Sequence, residues 1–154
     1  MPIEQRLAAL GLHLPQPPKA VGNYQPWIRT GHLIFVSGQF PLVNGVLKYS
    51  GKLGSDLSNV DGYDAAKFAA LNVLAQLYVA TRQFEDLDSI VRLDGHINCT
   101  PDWIDQAKVL DGASDLFAQV LESRAGHART AFGQTALPLN APVELVVLAA
   151  TRQH

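Results

Sequence analysis

The chain has 154 residues, 47% of them hydrophobic and 17% charged, with a formal net charge of −2. That length is one domain able to bury about 70% of the surface its unfolded form exposes, and so sparse a charge content points to surface hidden in a homo-oligomer. The twelve basic residues form no cluster, which argues against nucleic-acid binding by phosphate neutralisation.

Residues 1–19 read as a leader: a short amphipathic start with Ile3, Leu7 and Leu10, then the proline-rich Pro15-Gln16-Pro17-Pro18, which precludes helix and central strand. Residues 27–30 and 33–39 form a predicted hairpin turning at Thr30-Gly31. Asn44-Gly45 signals a second hairpin between Phe40-Pro41-Leu42 and Val46-Leu47-Lys48-Tyr49. From 60 to 82, apolar residues at 65, 66, 69, 70, 73, 74 and 77 draw the stripe of a helix, and Ser58 with Asp61 forms a capping box. Residues 90–99 alternate as a half-buried strand, with Val91, Leu93, Gly95, Ile97 and Cys99 on one face. A second helix is predicted over 110–124, stopped by Gly126, and two strands over 128–134 and 143–150 close the domain.

This order makes an α+β domain over 1–154. Two helices cannot cover both faces of such a sheet, so both pack on one. The last strand is apolar on both faces, and a copy of the same chain is the simplest cover for the second. The single cysteine, Cys99, excludes an internal disulfide and reads as an inert core thiol in a reducing compartment. With no signal peptide and no apolar run of transmembrane length, a soluble cytoplasmic protein that does not use a membrane is expected.

Two charges stand out. Arg129 lies alone in an otherwise uncharged strand, and Glu144 is the one charge in the next. The pair reads equally well as a structural ion pair between neighbouring strands or as a site. In a site, Arg129 would present its planar fork to a ligand carboxylate and Glu144 would position or activate water. Ser37-Gly38-Gln39 ends an apolar strand without the spacing of a nucleophile elbow, although Gly38 would let a ligand approach the backbone. Tyr24 reads as packing, and Asn72, mid-helix, as a cap for the backbone of a nearby loop. His13, His32, His96, His127 and His154 show no metal-ligand spacing, so no metal is expected. The absence of a phosphate loop or dinucleotide fingerprint predicts no nucleotide cofactor.

Several of these segments occur together, in order, in one family. Gly22-Asn23-Tyr24, Phe35-Val36-Ser37-Gly38-Gln39-Phe40-Pro41, Ala70-Leu71-Asn72-Val73-Leu74, Ala128-Arg129-Thr130, Leu137-Pro138 and Val143-Glu144 resemble the Rid, or YjgF, family of reactive-intermediate imine/enamine deaminases. The family is also labelled L-PSP endoribonuclease. The resemblance implies a chorismate-mutase-like fold assembled as a trimer through its sheets, with ligand clefts between subunits. It further implies that Arg129 binds a substrate carboxylate and Glu144 serves the attacking water. Tyr24, Ser37, Gly38 and the backbone at Ala131 would line the cleft. The reaction implied is hydrolysis of a 2-imino acid or its enamine to a 2-keto acid and ammonia, with no cofactor. The archetypal deaminases often carry a cysteine where this chain has Ala131, and Tyr49-Ser50-Gly51-Lys52-Leu53-Gly54 matches a divergent subgroup better. A non-catalytic trimeric binder of small carboxylic acids, or a chaperone-like relative, is the alternative. Endoribonuclease or translation inhibitor comes third, without a basic-aromatic stripe or a histidine pair to carry it.

Overall fold

Ser58 caps the longest element from both sides. Its hydroxyl accepts from the Asp61 amide at 3.1 Å, and the Asp61 carboxylate accepts from the Ser58 amide at 3.2 Å. Two otherwise unpaired amides are thereby satisfied, and α2 (Asn59–Ala80) begins. In the computed structural model, which describes residues 1–153, α2 joins α1 (Ile3–Ala9) and α3 (Gln106–Leu121). Seven strands complete the chain: β1 (Trp27–Thr30), β2 (Leu33–Gln39), β3 (Leu42–Val43), β4 (Val46–Leu47), β5 (Leu87–Asn98), β6 (Ala128–Gln134) and β7 (Val143–Thr151).

Both predicted hairpins are present. The β3–β4 turn places Asn44 at φ 52° and Gly45 at φ 79°, the two left-handed residues that a type I′ hairpin requires. Five strands form a mixed sheet in the order β1-β2-β7-β5-β6, in which only β5 and β6 run parallel. β7 is therefore central, and its alternate residues Val143, Leu145, Val147 and Ala149 are buried. They meet the α2 stripe, of which Ala66, Ala70, Val73, Leu74 and Leu77 are all inaccessible. Burying each of the larger side chains contributes about 1.5–3 kcal/mol. α3 crosses α2 closely at Gly112, where a β-carbon would collide with the Tyr63 carbonyl.

Four expectations need correction. A third helix, α1, packs on α3: Ile3 and Leu7 enter the core, and Arg6 Nη1 donates to the Val120 carbonyl at 2.7 Å. The second long helix begins four residues earlier than predicted, and it ends not at Gly126 but where Glu122 takes φ 53°, before a 3₁₀ turn over Glu122–Arg124. β5 starts at Leu87, and a register shift between Ile90 and Arg92 puts Ile90 in the core and leaves Val91 exposed; a bulge of this kind flips the alternation by one residue. Finally, β6 and β7 are not neighbours, because β5 lies between them. His154 lies outside the described residues. No described helix is long and apolar enough to cross a membrane.

The face of the sheet away from α2 and α3 is uncovered in the single chain. Ile28 pairs with Phe35, and Phe35 with Leu148. With Val146 they form an apolar strip, of which Ile28 is 52% and Phe35 49% exposed. Towards β6 the same face turns polar, with an Arg92–Asp94 ion pair and a stack of His96 on Phe132 at 5.1 Å.

Candidate functional site

The predicted site residues fall into two groups. The first gathers where β2 leaves the sheet. The β2–β7 register shifts between Val36 and Gln39, so Ser37 and Gly38 sit in the irregularity. The Ser37 hydroxyl donates to the Gln25 carbonyl at 2.6 Å, and its amide to the Pro26 carbonyl at 2.9 Å. These bonds tie the lead-in segment carrying Tyr24 to the strand end. Tyr24 is 47% exposed, and its phenolic oxygen accepts from the Val21 amide at 3.3 Å. Gly38 lies directly against Glu144: a β-carbon there would overlap Oε2 and stand 2.7 Å from Cδ.

Glu144 lies on the uncovered face of β7, opposite His96 on β5. It is half-buried and has no hydrogen-bond or ion-pair partner among the described residues. Burial pushes its carboxyl above the ordinary range, while the nearby His96 pulls it partly back. A carboxylate kept desolvated and unpaired is able to take a proton from water at a higher pH than a free glutamate.

A depression beside this corner is walled by Pro18, Tyr24, Ser37, Gly38, Gln39 and Phe40. Its volume of about 10 Å³ is room for one water. A far larger groove of about 790 Å³ runs between the leader, the β3–β4 turn and Phe68 on α2. It shares Pro18, Lys19 and Leu42 with the small one, but none of the predicted site residues lines it. The corner is built on firm supports. Asn72 Nδ2 donates to the Phe40 and Leu42 carbonyls at 2.8 and 3.0 Å, the capping role expected of it. Gln76 Nε2 holds the Pro18 carbonyl at 2.8 Å.

The second group, Arg129 and Ala131, lies on the edge strand β6 and on the other face. Arg129 pairs in register with Leu93 and Ala131 with Gly95, and both point to the helix side. The ion pair with Glu144, one of the two readings open from the sequence, therefore does not form. Arg129 Nη1 donates instead to Asp111 Oδ1 at 2.7 Å and Ser114 Oγ at 3.1 Å, and Nη2 to the Ala107 carbonyl at 3.3 Å, all on α3. The arginine side chain as a whole is about three-quarters buried, with an exposure of 24%.

Behind it stands His127, whose role sequence reasoning missed. Its Nε2 lies 2.9 Å from Ser114 Oγ and its Nδ1 2.6 Å from the Ala125 carbonyl. The residue takes φ 82°, uncommon for a side chain of this size and a mark of positions that the surroundings over-determine. The available signal was position: His127 stands two residues before Arg129. Asp111 and Ser114, three apart on one helix face, could be connected to Arg129 only by knowing which face of β6 the arginine occupies.

The family model described as "YjgF/chorismate_mutase-like, putative endoribonuclease" matches residues 4–151 of this chain. Protein TCP17 of Trypanosoma cruzi is 34% identical over 149 residues, covering 95% of this chain and 92% of its own length. The crystal structure of a "putative endoribonuclease" from Shewanella oneidensis superposes with a TM-score of 0.94 at 37% identity, over 97% of this chain and 99% of that one. The YjgF gene product of E. coli shares the fold, with a TM-score of 0.66 at 22% identity, over 89% of this chain and 94% of its own. The higher likeness to the first two sets this chain apart from the E. coli protein within a shared fold.

Proposed function

The chain belongs to the YjgF/chorismate-mutase-like family, and from that membership and the two half-sites we propose that it hydrolyses small reactive 2-imino acids, or their enamine tautomers, in clefts between copies of the chain. Each cleft pairs Arg129 and Ala131 of one copy with Tyr24, Ser37, Gly38 and Glu144 of a neighbour, in a cytoplasmic homotrimer closed over the apolar strip of Ile28, Phe35, Val146 and Leu148. The observation that carries this reading is the Glu144 carboxylate, half-buried, unpaired among the described residues and lying in the space that the missing side chain of Gly38 leaves open.

Arg129 holds the substrate carboxylate and so orients the imine carbon. Glu144 takes a proton from water as its oxygen bonds to that carbon and passes the proton to the imine nitrogen, giving an amino alcohol. Glu144 then takes the hydroxyl proton and delivers it to the nitrogen as the C–N bond breaks, so that ammonia leaves and the 2-keto acid remains. An enamine first takes a proton on carbon to become the imine. The protein needs to supply only orientation and a placed base, since imines already hydrolyse in water.

The test generates 2-iminobutyrate in situ with threonine dehydratase and times keto-acid release with wild-type protein, Arg129→Ala and Glu144→Gln. Acceleration by wild type and by neither variant is expected. No acceleration by wild type overturns the reading. Retained carboxylate binding without acceleration would instead favour a non-catalytic binder.

A further inference from the structure

We propose that Asp111 makes the Arg129 corner a receptor for zwitterions, ligands carrying a carboxylate beside a protonated nitrogen, and turns away simple carboxylate anions. The inference rests on the reading of Arg129 as the carboxylate receptor and names the class of ligand it selects.

Three of the five N–H donors of the guanidinium are engaged, by Asp111, Ser114 and the Ala107 carbonyl. The Nε donor and one on Nη2 have no partner among the described residues, so the group can still take a ligand carboxylate. It cannot travel to meet one, because it is anchored from behind. The Ala125 carbonyl only accepts, so in its neutral form the His127 ring carries its proton on Nδ1 and offers the Nε2 lone pair to the Ser114 hydroxyl. That hydroxyl spends its proton on His127 and leaves its oxygen to accept from Arg129. The chain of bonds runs one way, from Arg129 through Ser114 and His127 to Ala125.

Asp111 therefore shares the corner with whatever binds. Its side chain is 52% exposed, and while Oδ1 meets Arg129, Oδ2 has no partner among the described residues. Together Arg129 and Asp111 carry no net charge. A simple carboxylate meets a cation already compensated and adds repulsion from Asp111, an effect that grows in a cleft closed to water. A ligand with a protonated nitrogen next to its carboxylate offers an opposite charge to each partner. A 2-iminium acid is such a ligand. The 2-keto acid left after loss of ammonia has no cation, so the same corner that holds substrate releases product.

Calorimetry on the full chain with L-2-aminobutyrate, a zwitterion that cannot be hydrolysed, and with 2-ketobutyrate, an anion of the same carbon skeleton, tests the assignment. The wild type is expected to prefer the amino acid by about tenfold, and Asp111→Asn to lose that preference, with 2-ketobutyrate bound more tightly than by wild type. Arg129→Ala should bind neither. Equal affinities in the wild type, or a preference that survives in Asp111→Asn, overturns the role of Asp111 alone. Failure of wild type to bind either compound, or unchanged binding by Arg129→Ala, overturns the carboxylate-receptor reading beneath it.

Discussion

Gly38 and Glu144 occupy each other's space: a β-carbon at 38 would overlap the Glu144 carboxylate and lie 2.9 Å from its Cγ. The side chain of β7 crosses the strand end of β2 where a backbone without a side chain lets it pass. Gly38→Ala is expected to cost about 1–3 kcal/mol, as overpacking does, and to displace the carboxylate. The double variant Gly38→Ala/Glu144→Ala should recover most of that loss. Denaturant unfolding of the two singles and the double reads the coupling; additive losses would show that the two residues do not compete for one space.

Glu144 also sets a pH dependence of stability. Its carboxyl is raised above the ordinary 4.5 by burial. Between that value and the raised one, the folded protein holds a proton that the unfolded chain has released. Stability therefore falls as pH rises through the window and stays at the lower level above it. Glu144→Gln should remove that fall and be the more stable protein at neutral pH. Thermal melts across the acidic range check it, and curves that stay parallel for the two proteins would contradict it.

His127 pits two effects against each other. His127→Ala loses the ring's bonds to Ser114 and Ala125 and keeps the cost of φ 82°. His127→Gly loses the same bonds but adopts that backbone freely. The glycine variant should be the more stable of the two by about 1 kcal/mol, measured by urea unfolding. The opposite order would mean that the backbone there relaxes once the ring is gone.

Asn72 is 1% exposed and satisfies two loop carbonyls. Asn72→Leu keeps the volume and removes both bonds, leaving the Phe40 carbonyl only the Leu42 amide as donor, at about 2 kcal/mol. Amide exchange should quicken around residues 40–43 ahead of the rest of the chain. Uniform exchange with an unchanged melting point would show that water takes over both bonds.

Arg129→Lys preserves the charge and loses the fork. A single ammonium cannot serve Asp111, Ser114 and the Ala107 carbonyl together and still offer two donors to a ligand. Carboxylate binding measured by calorimetry should vanish in the lysine variant as is expected of Arg129→Ala, with the same molecular mass as wild type in light scattering. Affinity retained by lysine would show that charge alone suffices.

Chemistry that acts within a few residues was legible along the chain. Asn44-Gly45 forms its turn because those residues tolerate the left-handed region. Ser58 and Asp61 start α2 because a hydroxyl and a carboxylate three apart meet each other's amides. The stripe from Ala65 to Leu77 is buried because 3.6 residues make a turn. Membership of the family was legible from motifs spread between Tyr24 and Glu144.

Which of those pieces meet is set by pairing across the whole chain. That β7 enters between β2 and β5, and that β6 pairs parallel to β5, depends on contacts far apart in the chain that no local pattern encodes. This strand order is what separates Arg129 from Glu144, turns the arginine to Asp111 and Ser114, and leaves the glutamate against Gly38 without a partner among the described residues. The bulge that exposes Val91 is likewise a matter of register, where a shift of one residue exchanges the faces of a strand. Side-chain chemistry could be read along the line of the sequence; the face each charge occupies is a property of how the strands pair.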